Sequence, residues 1–352
     1  MHINDLLKIA VERKASDLHL KVGAFPVIRV DGTLVPLADM RRLMQEDTIA
    51  MAFSIMSARQ KEKFKNNFEI DIAYNVPNLG RFRCNIFQQR GTVGLVLRVI
   101  PAKVLSIKEL LLPPVLEKIC HEQRGLVLCT GTTGSGKSTT LAAMIDHINA
   151  TRNEHIMTIE DPIEFLHRDK KSIVNQREVD VDTKGFSLAL RSALRQDPDV
   201  ILVGEMRDLE TTSAAITAAE TGHLVFSTLH TVNAPQTIER IIDIYPSDEQ
   251  NQIRSMLANT LQAVISQTLF KRSDEPGMIP GVEIMLCTPA VRNCVRENRI
   301  FEIPNIIETS RALGMQTLDS SIKQLYVNGY ISREDAVAQA AHPEKLERAL
   351  VA

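Results

Sequence analysis

Residues 125–139 read Gly125-Leu126-Val127-Leu128-Cys129-Thr130-Gly131-Thr132-Thr133-Gly134-Ser135-Gly136-Lys137-Ser138-Thr139, and this stretch decides the fold. Its first part is a short continuous apolar run, the pattern of a strand buried on both faces. Gly131 to Ser138 then match G-x-x-x-x-G-K-S, the P-loop pattern. Leu141, Ala142, Met144 and Ile145 follow at helical spacing. Glycines let backbone amides turn inward around phosphate groups, and the helix N-terminus adds partial positive charge. Lys137 would neutralise the β- and γ-phosphates, and the Ser138 hydroxyl would ligate Mg²⁺.

Similar buried runs recur at 155–159, 200–203 and 224–228, with helical patterns at 186–195 and 211–221 between them. Strands alternating with helices predict an α/β fold whose parallel sheet is covered on both sides. Ser247-Asp248-Glu249-Gln250 reads as a capping box. The helix it opens places Ile253, Met256, Leu257, Leu261, Val264, Ile265 and Leu269 on one stripe. Residues 288–352 read as mostly helical.

The first hundred residues read as a mixed α+β unit. Ile3, Leu6, Leu7, Ala10 and Val11 share a helical face. Strand-like runs at 26–30 and 33–35 flank Asp31-Gly32, a two-residue hairpin signal. Further strands are expected at 70–74 and along 81–99, interrupted at Gly91. Three prolines in 101–114 mark a connector. The expected division is therefore 1–100, a connector at 101–114, an ATPase core at 115–272 and a helical region at 273–352.

Composition narrows the function. The chain has 352 residues with 41 Lys+Arg against 43 Asp+Glu, a net charge of -2. That excludes a globally basic nucleic-acid binder. Aromatics are 4% and Trp is absent, a poor basis for stacking bases. Five cysteines, none in C-x-x-C, fit reduced thiols in cytosol better than a disulfide framework or a zinc site. The amphipathic start carries no signal-peptide core, and no stretch is long and apolar enough to span a bilayer.

Two acidic elements accompany the phosphate loop. The run 200–203 leads into Gly204-Glu205, a Walker-B arrangement with glycine where the magnesium-holding aspartate usually stands. Glu205 then reads as a water-orienting group, or a magnesium ligand through water. Glu160-Asp161-Pro162-Ile163-Glu164 closes the run 155–159, where open α/β sheets place ligands. Glu160 and Glu164 are candidates to hold magnesium-bound water or accept its proton. His230, in the polar exit of its strand, reads as a γ-phosphate contact; His223 reads equally as a core hydrogen bond. Arg81 and Arg83 leave one strand face, either as a solvated basic edge or as cations reaching a neighbouring subunit's phosphate site. Arg191 and Arg195 read as helix-surface residues.

Together these elements resemble the secretion-ATPase superfamily that powers type II secretion and type IV pili, in its pilus-retraction branch. Ala15-Ser16-Asp17-Leu18-His19-Leu20 resembles the family's N-terminal signature, and 158–164, 204–208 and 221–231 resemble its Asp box, atypical Walker B and His box. The resemblance implies a PAS-like α+β domain followed by a RecA-like P-loop domain, assembled as a homohexamer with ATP and Mg²⁺ between domains. It places Arg81 and Arg83 on the family's trans arginines and Arg29 near the nucleotide. It also implies a cytoplasmic ATPase that retracts pili for twitching motility, acting on a PilC-like platform protein at the inner membrane. An accessory, PilU-like paralogue is both a possible partner and the nearest alternative identity. Extension and secretion members usually carry a further N-terminal domain and a tetracysteine zinc module; this sequence begins with the PAS-like unit, and its cysteines cannot make that module. The segment Ala290-Val291-Arg292-Asn293-Cys294-Val295-Arg296-Glu297 resembles the retraction branch's Ala-Ile-Arg-Asn-Leu-Ile-Arg-Glu. A RecA-like nucleic-acid translocase and a non-hydrolysing regulator are the rival readings; the first conflicts with the neutral charge, the second with the complete set of phosphate-site residues.

Overall fold

Strand pairing sorts the chain into two separate sheets. A computed structural model describes residues 2–30, 32–77, 79–100 and 103–351. One unit comprises residues 1–103 with 164–166, the other 104–163 with 167–352.

The first unit contains β1 (Asp17–Leu20), β2 (Val27–Val30), β3 (Thr33–Pro36), β4 (Glu69–Val76), β5 (Gly80–Gln89) and β6 (Thr92–Ile100). They form one sheet in the order β3-β2-β1-β6-β5-β4, antiparallel throughout. The β2–β3 hairpin closes from Val30 to Thr33, with Gly32 at φ 80°; Asp31 lies outside the described residues. Strands alternate between a core face and a polar face: Phe82 and Cys84 are buried, while Arg81 is half-buried and Arg83 exposed. The helix Ile3–Glu12 buries Ile3, Leu6, Leu7 and Ala10 in the same core. This is the PAS-like α+β unit.

The second unit contains β7 (Gly125–Thr130), β8 (His155–Glu160), β9 (Ile173–Glu178), β10 (Val200–Val203), β11 (Leu224–Leu229), β12 (Leu261–Lys271) and β13 (Met278–Leu286). Their order is β13-β12-β7-β11-β10-β8-β9. Pairings from β12 to β9 are parallel, and β13 is antiparallel at the edge. Two apolar clusters build on the sheet: one holds Leu126, Leu128, Ile201 and Val225, the other their alternates Val127, Cys129, Leu202 and Phe226. Apolar packing on both faces explains why β7, β10 and β11 are buried at every position. The result is the RecA-like arrangement.

Three expectations need correction. The helix after residue 249 runs only Gln250–Thr260, and Leu261, Val264, Ile265 and Leu269 lie on strand β12. A strand buried on both faces loses its alternation, so its apolar residues mimic helical spacing. The capping box does not form: Glu249 is the N-cap and its side chain makes no capping bond. The region 273–352 is not helical throughout, because β13 extends the sheet. Pro101 and Ala102 of the expected connector lie outside the described residues, and Ile107 and Leu112 are buried in the second unit's core.

Candidate active site

Strands β7, β8, β10 and β11 are parallel neighbours, so their C-terminal ends share one edge of the sheet. In open α/β sheets this is the ligand-binding edge. The phosphate loop leaves β7, Glu160 ends β8, Gly204-Glu205 follow β10, and His230 follows β11.

The loop has the backbone its glycines permit. Gly131, Gly134 and Gly136 sit at φ 140°, 81° and 90°, a region that L side chains rarely adopt. Thr132, Thr133, Gly134 and Ser138 are exposed, while Ser135 is buried. Helix Lys137–Thr151 begins at Lys137, whose Nζ donates to the Gly131 carbonyl at 2.8 Å and the Thr132 carbonyl at 3.0 Å. Thr139 lies half-buried in the first turn. Burial pushes the Cys129 thiol up to about 12.

Just beyond the ends of β10 and β11 the structure brings together two residues the sequence singles out. Glu205 Oε1 lies 3.1 Å from His230 Nε2, and Glu205 Oε2 lies 2.8 Å from Arg207. Burial pushes the Glu205 carboxyl up, but hydrogen bonds and charge from Arg207 and His230 outweigh it and hold it below its ordinary value. Gly204 cannot be exchanged freely for an aspartate: an added Cβ would stand 3.2 Å from the Phe186 ring and 3.3 Å from the Ile159 carbonyl. Glu160 Oε1 accepts from Thr158 Oγ1 at 2.6 Å and from Gln176 at 3.1 Å. Glu164 is exposed and belongs with the first unit.

His223 Nδ1 instead lies 2.9 Å from the Ala218 carbonyl, a local helix-end bond. Arg191 pairs with Glu210 at 2.8 Å on the helix surface. In the first unit Arg29 donates to the Gly32 carbonyl at 2.7 Å and has Asp17 at 3.9 Å. Arg83 has Asp71 at 3.7 Å. Helix Pro289–Arg296 buries Val291, Cys294 and Val295. Its Arg292 donates to the carbonyls of Ala258 and Asn259 at 2.6 and 2.9 Å, satisfying carbonyls in the last turn of the helix Gln250–Thr260.

Sequence reasoning misses two residues of the second unit. Arg207 stands in the Gly204–Asp208 stretch, but nothing in the local sequence shows that it pairs with Glu205. Gln267 is hidden because the apolar spacing of β12 mimics a helix. Its one signal, a polar residue inside an apolar run, becomes meaningful only in a strand buried on both faces.

A family model described as type II/IV secretion system protein matches residues 1–334. The type IV pilus retractation ATPase PilT of Pseudomonas aeruginosa is 52% identical over 344 residues, covering 98% of this chain and 99% of that protein. The type IV pilus ATPase PilU of the same organism is 41% identical over 340 residues, covering 97% and 89%. A crystal structure of the pilus retraction motor PilT with bound ADP superposes with a TM-score of 0.93 at 47% identity, covering 99% of both chains. No helix among the described residues is long and apolar enough to cross a membrane. The chain belongs to the type II/IV secretion system protein family and is an ATPase of its pilus-retraction branch.

Proposed function

We propose that this protein is a homohexameric motor that hydrolyses ATP to power the retraction of type IV pili, and with it twitching motility. The observation that carries the reading is one sheet edge presenting a complete phosphate loop beside the Glu205, Arg207 and His230 group. The higher identity to the retraction ATPase, 52% against 41%, favours it over the accessory paralogue.

Phosphoryl transfer asks a protein for positioning and charge neutralisation. Lys137 exchanges its loop carbonyls for the β- and γ-phosphate oxygens. Glu205, held at both oxygens, orients the attacking water; Glu164 is the other candidate for that role. His230 links the γ-phosphate position to Glu205. Arg81 and Arg83 of the next protomer stabilise charge that develops in the transition state. The Ser138 hydroxyl and Glu160, both oxygen donors of the second unit, would suit Mg²⁺. When bound, the ion would offset negative charge on the phosphates.

The motor works in the cytoplasm against an inner-membrane platform protein of the PilC kind, with a PilU-like paralogue as a possible companion and no nucleic acid. Turnover per chain, measured across dilution from ring to monomer, tests the reading. It should collapse as rings dissociate; a monomer as active as the ring would overturn it.

A further inference from the structure

We propose that Gln267 on β12 is a positioning residue for nucleotide binding, its side-chain amide holding the phosphate loop in the shape that accepts phosphates. The inference rests on the phosphate-loop reading above. Gln267 is 4% exposed, and both ends of its amide are used. Its Nε2 donates to the Ser135 carbonyl at 2.8 Å, and its Oε1 accepts from Thr140 Oγ1 at 2.8 Å. Ser135 lies in the loop and Thr140 in the first turn of the following helix, so one planar group spans the segment carrying Lys137 and Ser138. The orientation is set by chemistry: only the NH₂ end can face a carbonyl.

Two loop glycines make room for this contact. A Cβ on Gly136 would stand 2.6 Å from Gln267 Nε2. A Cβ on Gly131 would collide with the Gln267 main-chain carbonyl and with Ser135 Oγ. One residue earlier on β12, Ser266 Oγ accepts from Thr130 Oγ1 at 2.9 Å, fixing the strand to the point where the loop departs. The loop thus rests on a template supplied from more than a hundred residues downstream. Gln267 acts through Ser135 and Thr140, so its effect belongs to binding geometry. Without the amide, a buried carbonyl loses its donor, and the loop must move to find another.

The test uses the full chain, a fluorescent ADP analogue, ATP turnover and nucleotide-free melting. Gln267→Met keeps the shape and loses both bonds; Gln267→Glu keeps the acceptor for Thr140 and loses the donor to Ser135. Thr140→Val removes the hydroxyl and Thr140→Ser restores it. We expect both Gln267 variants to weaken the analogue and raise KM by roughly tenfold, with kcat within about threefold. Thr140→Val should weaken it by about threefold, and Thr140→Ser should bind like the parent. Folded Gln267 variants that bind as the parent does would overturn the proposal. If those variants fail to fold, the Thr140 pair decides: a weaker valine variant supports it, and equal affinities overturn it. A parent protein that does not bind the analogue would overturn the phosphate-loop reading instead.

Discussion

His230 Nε2 lies 3.1 Å from Glu205 Oε1, while Arg207 holds the other oxygen of that carboxylate at 2.8 Å. A carboxylate fixed at both oxygens has little freedom, so its remaining lone pairs point where the protein sets them. Glu205→Gln keeps the size and loses the charge. We expect nucleotide affinity to persist and single-turnover hydrolysis to fall by about 10²–10⁴-fold, the range of a general base. If Glu164→Gln shows that loss instead, with Glu205→Gln still turning over, the water belongs to Glu164.

The same triad predicts a pH response. Glu205 titrates below its ordinary 4.5. The charged form is therefore favoured by folding, and its stabilising contribution is present above the ordinary value and lost as pH falls through the lower folded one. Glu205 then contributes no acid limb to kcat/KM above about pH 5. Arg207→Met removes the strongest opposing influence and leaves His230 alone against burial, which raises the value. The limb should move upward in that variant. A profile unchanged between the two proteins would separate Arg207 from the essential carboxylate.

Arg83 and Lys137 should be separable in a mixing experiment. If the cation comes from a neighbour, Arg83→Ala and Lys137→Ala rings are each inactive alone. Subunits exchanged between them create interfaces that pair an intact Lys137 with an intact Arg83. Turnover should reappear on mixing, to a sizeable fraction of the parent rate. Mixed rings, verified as mixed, that stay silent would place both groups in one protomer's site.

The phosphate loop was legible because every part of it is local: strand, glycines, lysine and helix start lie within fifteen residues. The face of Arg81 and Arg83 was legible because alternation along β5 needs nothing beyond the strand itself. What could not be read depends on partners distant in sequence. Gln267 reaches Ser135 across 132 residues. β12 reads as helix in the sequence because burial on both faces removes the period that distinguishes a strand. β9 is silent in the sequence because an edge strand with Asn175, Gln176 and Arg177 has no apolar run to announce it.

Gly136→Ala should fail for two reasons, one of which Gly134→Ala does not share. Both glycines have positive φ, 90° and 81°, and alanine there costs about 1–2 kcal/mol. At Gly136 the new methyl also meets Gln267 Nε2, whereas at Gly134 nothing lies within 4 Å. Melting should drop further in Gly136→Ala, and its ADP affinity should fall by more than the Gly134→Ala value. Equal losses in the two variants would mean that Gln267 yields without consequence.

All five cysteines are free and buried, and their chemistry should follow from that. Burial pushes Cys120 and Cys129 up to about 12 and Cys287 to about 11. Cys84 is raised for the same reason. The thiolate is the reactive form, so at pH 8 only about one thiol in 10⁴ is primed at a value of 12. A thiol reagent at that pH should leave these four untouched for as long as the fold holds, and should titrate all five at once in denaturant. Rapid loss of any of the four from the native protein, located by peptide mapping, would show that its core opens locally. For Cys129 that opening would lie directly beneath the phosphate loop, and ADP should suppress it.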